Sequence, residues 1–131
     1  MNVLESAEAI LAVDDLKTEP VHIPEWGGSV LIRLMSAKER GKWEQEWAEK
    51  KDKGGAHYDL FREHLVVHCA VNSKGERLFT DEQMTALAGK CAPALDRLYI
   101  RCVKLNKLGK DDLDFFVGDS AKTPGGDSSS A

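Results

Sequence analysis

Two stretches rich in valine and isoleucine, Thr18–Ile23 and residues 29–35, stand near the start of the chain. Period-2 alternation in the second stretch gathers apolar side chains on one face of a strand, where they can cover a core. These side chains are Val30, Ile32 and Leu34. Residues 24–28 connect the two stretches and end in a Gly-Gly pair that suits a turn. The pattern therefore predicts an antiparallel β-hairpin whose apolar face is covered by helices.

Apolar residues at helical spacing, bounded by capping signals, account for most of the remaining chain. Ser36 and Glu39 form a capping box, in which each side chain accepts a hydrogen bond from the backbone N–H of the other residue. Thr80 and Gln83 repeat this signal. The predicted helices span residues 6–16, 37–52, 57–71, 80–90 and 92–108, with Gly109 as the stop and one or two further turns over residues 111–117.

The C-terminal residues 118–131 contain no large apolar side chain. Nothing there offsets the entropy cost of ordering the backbone, so we expect a disordered tail after a single domain of residues 1–117. The order of helix, hairpin and several helices predicts an α+β fold. It is mostly α-helical, with about four to six helices and a small antiparallel β-hairpin near the N-terminus.

Composition and charge narrow the class of protein. The 131 residues carry a formal net charge of −4, with 42% hydrophobic and 31% charged residues, which is typical of one globular domain. No apolar run approaches the roughly 20 residues of a membrane helix, and residues 1–13 lack a basic segment before their apolar stretch, so we expect neither membrane insertion nor secretion. The acidic balance repels phosphate groups and disfavours nucleic acid as a partner.

The sequence carries no motif of an enzyme active site. Its Gly-Gly pairs lack the flanking residues of Walker or dinucleotide-binding loops, and neither GxSxG nor HExxH occurs. Cys69, Cys91 and Cys102 form no CxxC pair, and buried thiols in a reducing compartment are their first interpretation. We therefore predict a protein that is not an enzyme and holds no cofactor.

Three histidines, His57, His64 and His68, project in nearly one direction from the helix predicted over residues 57–71. The i,i+4 spacing of His64 and His68 can chelate zinc if another segment supplies a further ligand. Apolar side chains flank the histidines on the same helix face, which favours packing in a core or interface. A pH-sensitive interface is the second alternative. The sequence alone therefore predicts no metal site.

Trp43 and Trp47 form an i,i+4 aromatic pair on a predicted helix that is otherwise mostly charged or polar. Because tryptophan buries a large area, anchoring of the helix on the core is the first interpretation. A binding hot spot for a protein partner is the second. Trp26, beside the Gly-Gly turn, has the same two alternatives. All three are candidates for partner binding.

Arg97, Arg101 and Lys104 form a basic stripe on the last long helix, opposite its apolar residues. A solvated helix face is the simplest explanation, and docking of an acidic protein surface is the alternative. Nucleic-acid binding would require more basic residues and stacking aromatic side chains on the same face. The stripe is therefore a further candidate for binding a protein partner.

Two blocks of the sequence resemble the tail assembly chaperones of long-tailed, lambda-like siphophages. The first spans residues 10–40, with Glu25-Trp-Gly-Gly28 in the hairpin and Ser36-Ala-Lys-Glu-Arg40 at the start of the next helix. The second is Val71-Asn-Ser-Lys-Gly-Glu-Arg-Leu-Phe-Thr-Asp-Glu-Gln83, followed by residues 94–98 and 105–108. Together they cover most of the chain from residue 10 to about residue 113.

The resemblance implies a chaperone of the host cell cytoplasm that binds the long, aggregation-prone tape measure protein. It would keep this client soluble while tail subunits polymerise, and it would be absent from the mature virion. The resemblance also implies a longer, frameshifted form that recruits the major tail (tube) protein. The normal and the frameshifted forms would diverge within residues 118–131, where the codons of Pro124-Gly125-Gly126 could contain a slippery run of G.

Other partners follow from the residues alone. A homo-oligomer is left open, and we expect neither a nucleic acid nor a membrane as partner. The alternative function is a small regulatory or nucleic-acid-binding module that uses the helix face of Arg97, Arg101 and Lys104.

Overall fold

A computed structural model describes residues 2–52 and 60–109 of the chain. Within them, five α-helices accompany a three-stranded antiparallel sheet, which confirms the α+β fold and the N-terminal hairpin. The helices are α1 (Ala7–Leu11), α2 (Ala37–Asp52), α3 (Phe61–Cys69), α4 (Met84–Leu87) and α5 (Ala92–Leu105), and the strands are β1 (Thr18–Ile23), β2 (Gly28–Arg33) and β3 (Ala70–Val71). None of the described helices has the length and apolarity needed to cross a membrane.

Several predictions fall outside the described residues. These are the gap between the helices predicted over residues 37–52 and 57–71, His57, the helical turns at residues 111–117, the domain boundary at residue 117 and the tail of residues 118–131. They remain predictions.

The hairpin forms where the alternating pattern placed it. Thr18 pairs with Arg33 and Ile23 pairs with Gly28, so residues 24–27 make the connection. Pro24–Trp26 forms a 3-10 turn, and Gly27 adopts a φ of +70°, a left-handed conformation that glycine reaches without a steric penalty. The turn therefore depends on Gly27, whereas the second glycine of the pair already belongs to β2.

The third strand was not predicted from the sequence. The helix expected to reach residue 71 ends at Cys69, and the backbone at Ala70 turns to an extended conformation. Ala70 and Val71 then pair with Ile32 and Leu31 of β2. The prediction was wrong here because hydrogen bonding to β2, which is distant in sequence, replaces the last helical bonds.

Helix α1 is shorter than predicted. Its start agrees with the sequence, since the Ser6 hydroxyl accepts a hydrogen bond from the Ala9 backbone N–H at 3.1 Å. It ends at Leu11 rather than residue 16, and none of its residues is buried. A helix this short gains little stability unless it packs against a neighbour. Because none of its residues is buried, packing does not favour helical structure beyond Leu11.

The segment predicted as one helix over residues 80–90 is divided. The Gln83 side chain accepts from the Thr80 backbone N–H at 2.9 Å, as the capping box predicted. The first turn, Asp81–Gln83, is nevertheless a 3-10 turn, and α4 follows only over Met84–Leu87. The capping signal identified where the helical segment starts but not its length.

Helix α5 ends at Leu105, before the predicted stop at Gly109. Lys107 adopts a φ of +52°, its N–H bonds to Lys104 at 3.2 Å, and the Leu108 N–H bonds to Val103 at 3.0 Å. These two bonds form a Schellman motif, and the side chain of Leu108 enters the core. Lysine therefore occupies a left-handed position that glycine normally takes.

Helix α3 lies at the centre of the fold. Each residue from Glu63 to Cys69, and β3 after it, is buried. The helix contacts α2, α4 and α5, while α5 also covers β1 and β2. The apolar face of the sheet includes Val21, Ile23 and Ile32, all buried. The core thus lies between the sheet and the helices, as the hairpin pattern required.

Asn106 links three of these elements in the interior, and no sequence pattern predicted this role. The residue is 5% exposed. Its Oδ1 accepts from the Met35 backbone N–H at 2.9 Å, and its Nδ2 donates to the Cys102 carbonyl at 2.9 Å. Nδ2 also lies 3.4 Å from the Cys69 sulfur. One amide therefore ties the end of β2 to α3 and α5.

We expect Asn106→Leu to lower the free energy of unfolding by about 1–3 kcal/mol, because the buried Met35 N–H loses its acceptor. Urea denaturation monitored by circular dichroism measures the change. Unaltered stability would show that this hydrogen bond contributes little to the fold.

We expect Lys107→Gly to raise the free energy of unfolding by about 0.5–1 kcal/mol, because glycine relieves the left-handed strain. The matched control is Lys104→Gly, also exposed but within α5. It should lower stability by about 1 kcal/mol. Loss of stability in both variants would contradict the assignment of strain to Lys107.

Candidate functional site

Glu46, His64 and His68 form a polar cluster between α2 and α3. Oε1 of Glu46 lies 3.1 Å from Nε2 of His64 and 3.0 Å from Nε2 of His68. His64 and His68 stand one turn apart on the buried helix and are 1% and 5% exposed. The Glu46 side chain is 24% exposed and so reaches the surface. The sequence identified the two histidines but not the carboxylate that joins them.

The protonation of the polar cluster follows from its contacts. Burial raises the pKa of Glu46, but hydrogen bonds from His64 and His68 outweigh it and hold this pKa below its ordinary value. The ionised carboxylate can only accept, so each imidazole donates from Nε2. Burial is the main cause that lowers the pKa of His68, although its hydrogen bond to Glu46 raises it. His68 is therefore neutral at neutral pH.

Trp43 and Trp47 enclose the polar cluster from α2. They are 4% and 1% exposed, and both belong to the hydrophobic core. The two indoles stack on the His64 ring, with centroids at 6.2 Å and 5.6 Å. Trp47 also lies 6.3 Å from the Phe61 ring. In this conformation both tryptophans anchor α2 on α3. Their contact with a partner stays a prediction.

Trp26 lies in the hairpin connection and packs, partly buried, against the core. Part of its ring is therefore accessible, unlike Trp43 and Trp47. Its proposed role in partner binding also stays a prediction.

The basic stripe holds α5 against the hairpin. Arg97 donates two hydrogen bonds to the Glu25 carboxylate, at 3.2 Å and 3.1 Å. Arg101 donates from Nε to Glu19 at 2.7 Å. The hydrogen bond from Arg97 is the main cause that lowers the pKa of Glu25. Lys104 is exposed. Two of the three candidate residues thus contact acidic side chains of the same chain, and a role in partner binding stays a prediction for all three.

Within the part of the chain that the structure describes, exposed apolar side chains are concentrated at the N-terminus. Leu11 is 82% exposed, and four neighbours are more than half exposed: Val3 (62%), Leu4 (54%), Ile10 (53%) and Val13 (53%). We call these five residues the N-terminal apolar segment. The segment was not among the candidate sites predicted from the sequence, although Ile10, Leu11 and Val13 within the first predicted helix were the available signal. Several adjacent exposed apolar side chains are typical of a surface that binds another polypeptide.

The described residues thus form a small α+β body with an exposed apolar segment at its N-terminus. Residues 7–114 match the family of phage tail assembly chaperones. The chain belongs to this family, which confirms the resemblance seen in the sequence. Its partners are accordingly tail proteins, and membership of a chaperone family points to a non-enzymatic role.

A solved structure has the same fold. The tail assembly chaperone of bacteriophage HK97 superposes with a TM-score of 0.51 at 17% identity, over 75% of this chain and 90% of the HK97 chain. At this identity the likeness supports the fold alone. No curated protein matches the chain.

We expect Trp47→Ala to lower the free energy of unfolding by about 3–5 kcal/mol, because it removes a fully buried ring. Trp26→Ala should cost less, since that ring is already partly exposed. Urea denaturation compares the two variants. A Trp47→Ala protein as stable as the wild type would contradict its role as a core anchor.

Proposed function

We propose that this chain binds the tape measure protein of its phage and keeps it soluble during tail assembly. The tape measure protein is long and prone to aggregation, as the family resemblance implies. A chaperone for such a client must offer apolar contact area and remain soluble itself. It would act in the host cell cytoplasm and leave before the virion matures.

The N-terminal apolar segment is the observation that supports this proposal. Its five side chains lie outside the core, in a region where α1 has no buried residue. Leaving such side chains in water is unfavourable by about 25 cal/mol per Å² of apolar area, so covering them with a client stabilises the complex. A client helix would also supply the packing that a five-residue helix needs to persist.

The body of the protein suits a carrier of this kind. The net charge of −4 opposes self-association of chains that expose apolar side chains. The body that carries the N-terminal apolar segment is stable by itself. It is stabilised by the buried core, by Trp43 and Trp47, and by the ion pairs between α5 and the hairpin. Binding at the segment needs no rearrangement of these contacts.

We further propose that a longer, frameshifted form recruits the major tail protein to the bound client. In that form, the shared domain would hold the tape measure protein while the added C-terminal part contacts the tube subunit. The nucleotide sequence at Pro124-Gly125-Gly126 tests this step. A run of G supports it, whereas mixed glycine codons without a slippery run count against it.

Co-expression tests the main proposal. The tape measure protein of the same phage should become soluble and co-purify with the wild-type chain. Ile10→Asp and Leu11→Asp should each reduce the soluble, co-purifying fraction, because a carboxylate is placed where apolar contact is needed. The measurement is the soluble fraction of the client, with the amount of chaperone held equal.

The matched control is Ile100→Asp, at an α5 residue that is 49% exposed, close to the 53% of Ile10. It should leave the client soluble. A client that stays insoluble with the wild-type chain would refute the function. A client that is equally soluble with all the variants would refute the N-terminal apolar segment as its binding surface.

A further inference from the structure

We propose that Glu46, His64 and His68 form a binding site for a divalent transition-metal ion, with Zn²⁺ as the best match. The proposal concerns the polar cluster between α2 and α3. It is independent of the client that the N-terminal apolar segment binds.

The first argument is convergence. Two Nε2 atoms and a carboxylate oxygen lie within 4.8 Å of one another. The two nitrogen–oxygen distances are 3.1 Å and 3.0 Å. Ligand atoms of a tetrahedral zinc site with bonds of about 2.0–2.1 Å stand about 3.3 Å apart. A small outward shift of the Glu46 side chain, together with rotation of the two imidazoles that brings their Nε2 atoms to the same separation, would therefore fit an ion between the three atoms.

The second argument is the chemistry of the donors. Two neutral imidazoles and one carboxylate form a common zinc ligand set, and they leave a fourth position for water. Mg²⁺ and Ca²⁺ prefer sites made only of oxygen ligands, so nitrogen donors select against them. The hydrogen now on each Nε2 must move to Nδ1, so that the Nε2 lone pair can face the ion.

The third argument is rigidity. His64 and His68 stand at i,i+4 on a helix that is buried along this stretch. The indoles of Trp43 and Trp47 stack on His64, and the two imidazoles meet edge to face at 5.0 Å. Two ligands are thus held near each other before an ion arrives, which reduces the entropy cost of binding.

Access to the ligands is from the side of Glu46, whose side chain is partly exposed. Lys42 approaches the same carboxylate, with its Nζ 3.9 Å from Oε2. This ammonium is on a side chain that is 63% exposed and can swing into water when a cation enters. On the other side, Arg77 pairs with Asp81 at 2.9 Å. The charge of Arg77, which acts on His68, is therefore partly neutralised by its own partner.

A bound ion would connect α2 to α3. These helices already meet through Trp43 and Trp47. The metal would add a cross-link from Glu46 to His64 and His68, which lie 18 and 22 residues further along the chain. Zinc should consequently raise the thermal unfolding midpoint of the full chain.

The test uses the full chain, stripped of metal by a chelator and then titrated with Co²⁺ or Zn²⁺ alone. We expect one equivalent of Co²⁺ per chain, with the visible absorption of a four-coordinate nitrogen–oxygen site, and a higher unfolding midpoint with Zn²⁺. Glu46→Gln and His68→Ala should each weaken Co²⁺ binding by at least about 10-fold. Even the loss of a residue that only hydrogen-bonds to a metal ligand weakens binding by about this factor.

Two variants are matched controls, His22→Ala and Cys91→Ser. Each removes an exposed side chain of a type that can ligate a metal but that lies outside the polar cluster. Both should bind Co²⁺ as the wild type does. If His68→Ala fails to fold, Glu46→Gln decides, since its side chain lies partly at the surface and glutamine keeps an acceptor oxygen. The proposal is overturned by absence of binding, by equal binding in Glu46→Gln, or by a thiolate charge-transfer band that places the ion on cysteine.

Discussion

The burial of α3 from Glu63 to Cys69 is the constraint on which the rest of the structure depends. A helix in this position must satisfy its polar side chains inside the protein, because water cannot reach them. His64 and His68 meet this requirement through one carboxylate, Glu46 of α2. Trp43 and Trp47 fill the space around the same histidines. The position of α2 is thus set by a hydrogen-bonding need and by aromatic packing at one place.

The opposite side of the core is held by α5 and the sheet. Asn106 satisfies the Met35 N–H where β2 has ended, and it does so from the end of α5. Arg97 and Arg101 reach across to Glu25 and Glu19 of the hairpin. Because water screens these exposed ion pairs, they add little stability, and their role is mainly to orient α5. The buried amide fixes the arrangement more strongly.

This arrangement separates the two tasks of a chaperone. The buried contacts stabilise the body, while the N-terminal apolar segment lies outside the core. Under the proposed function, no internal contact has to break before this segment binds a client. Trp43 and Trp47, the aromatic pair that the sequence singled out, lie in the core instead.

What the sequence determined by itself is local. The strand alternation, the capping box of Ser36 and Glu39, and the Thr80–Gln83 signal each involve residues a few positions apart, and their hydrogen bonds occur as predicted. The family resemblance likewise follows from short continuous blocks. Only the tertiary structure decided that α3 ends at Cys69, that Ala70 and Val71 join β2, and that Glu46 meets both histidines. Those outcomes depend on contacts between residues from 18 to 40 positions apart, which no local pattern encodes.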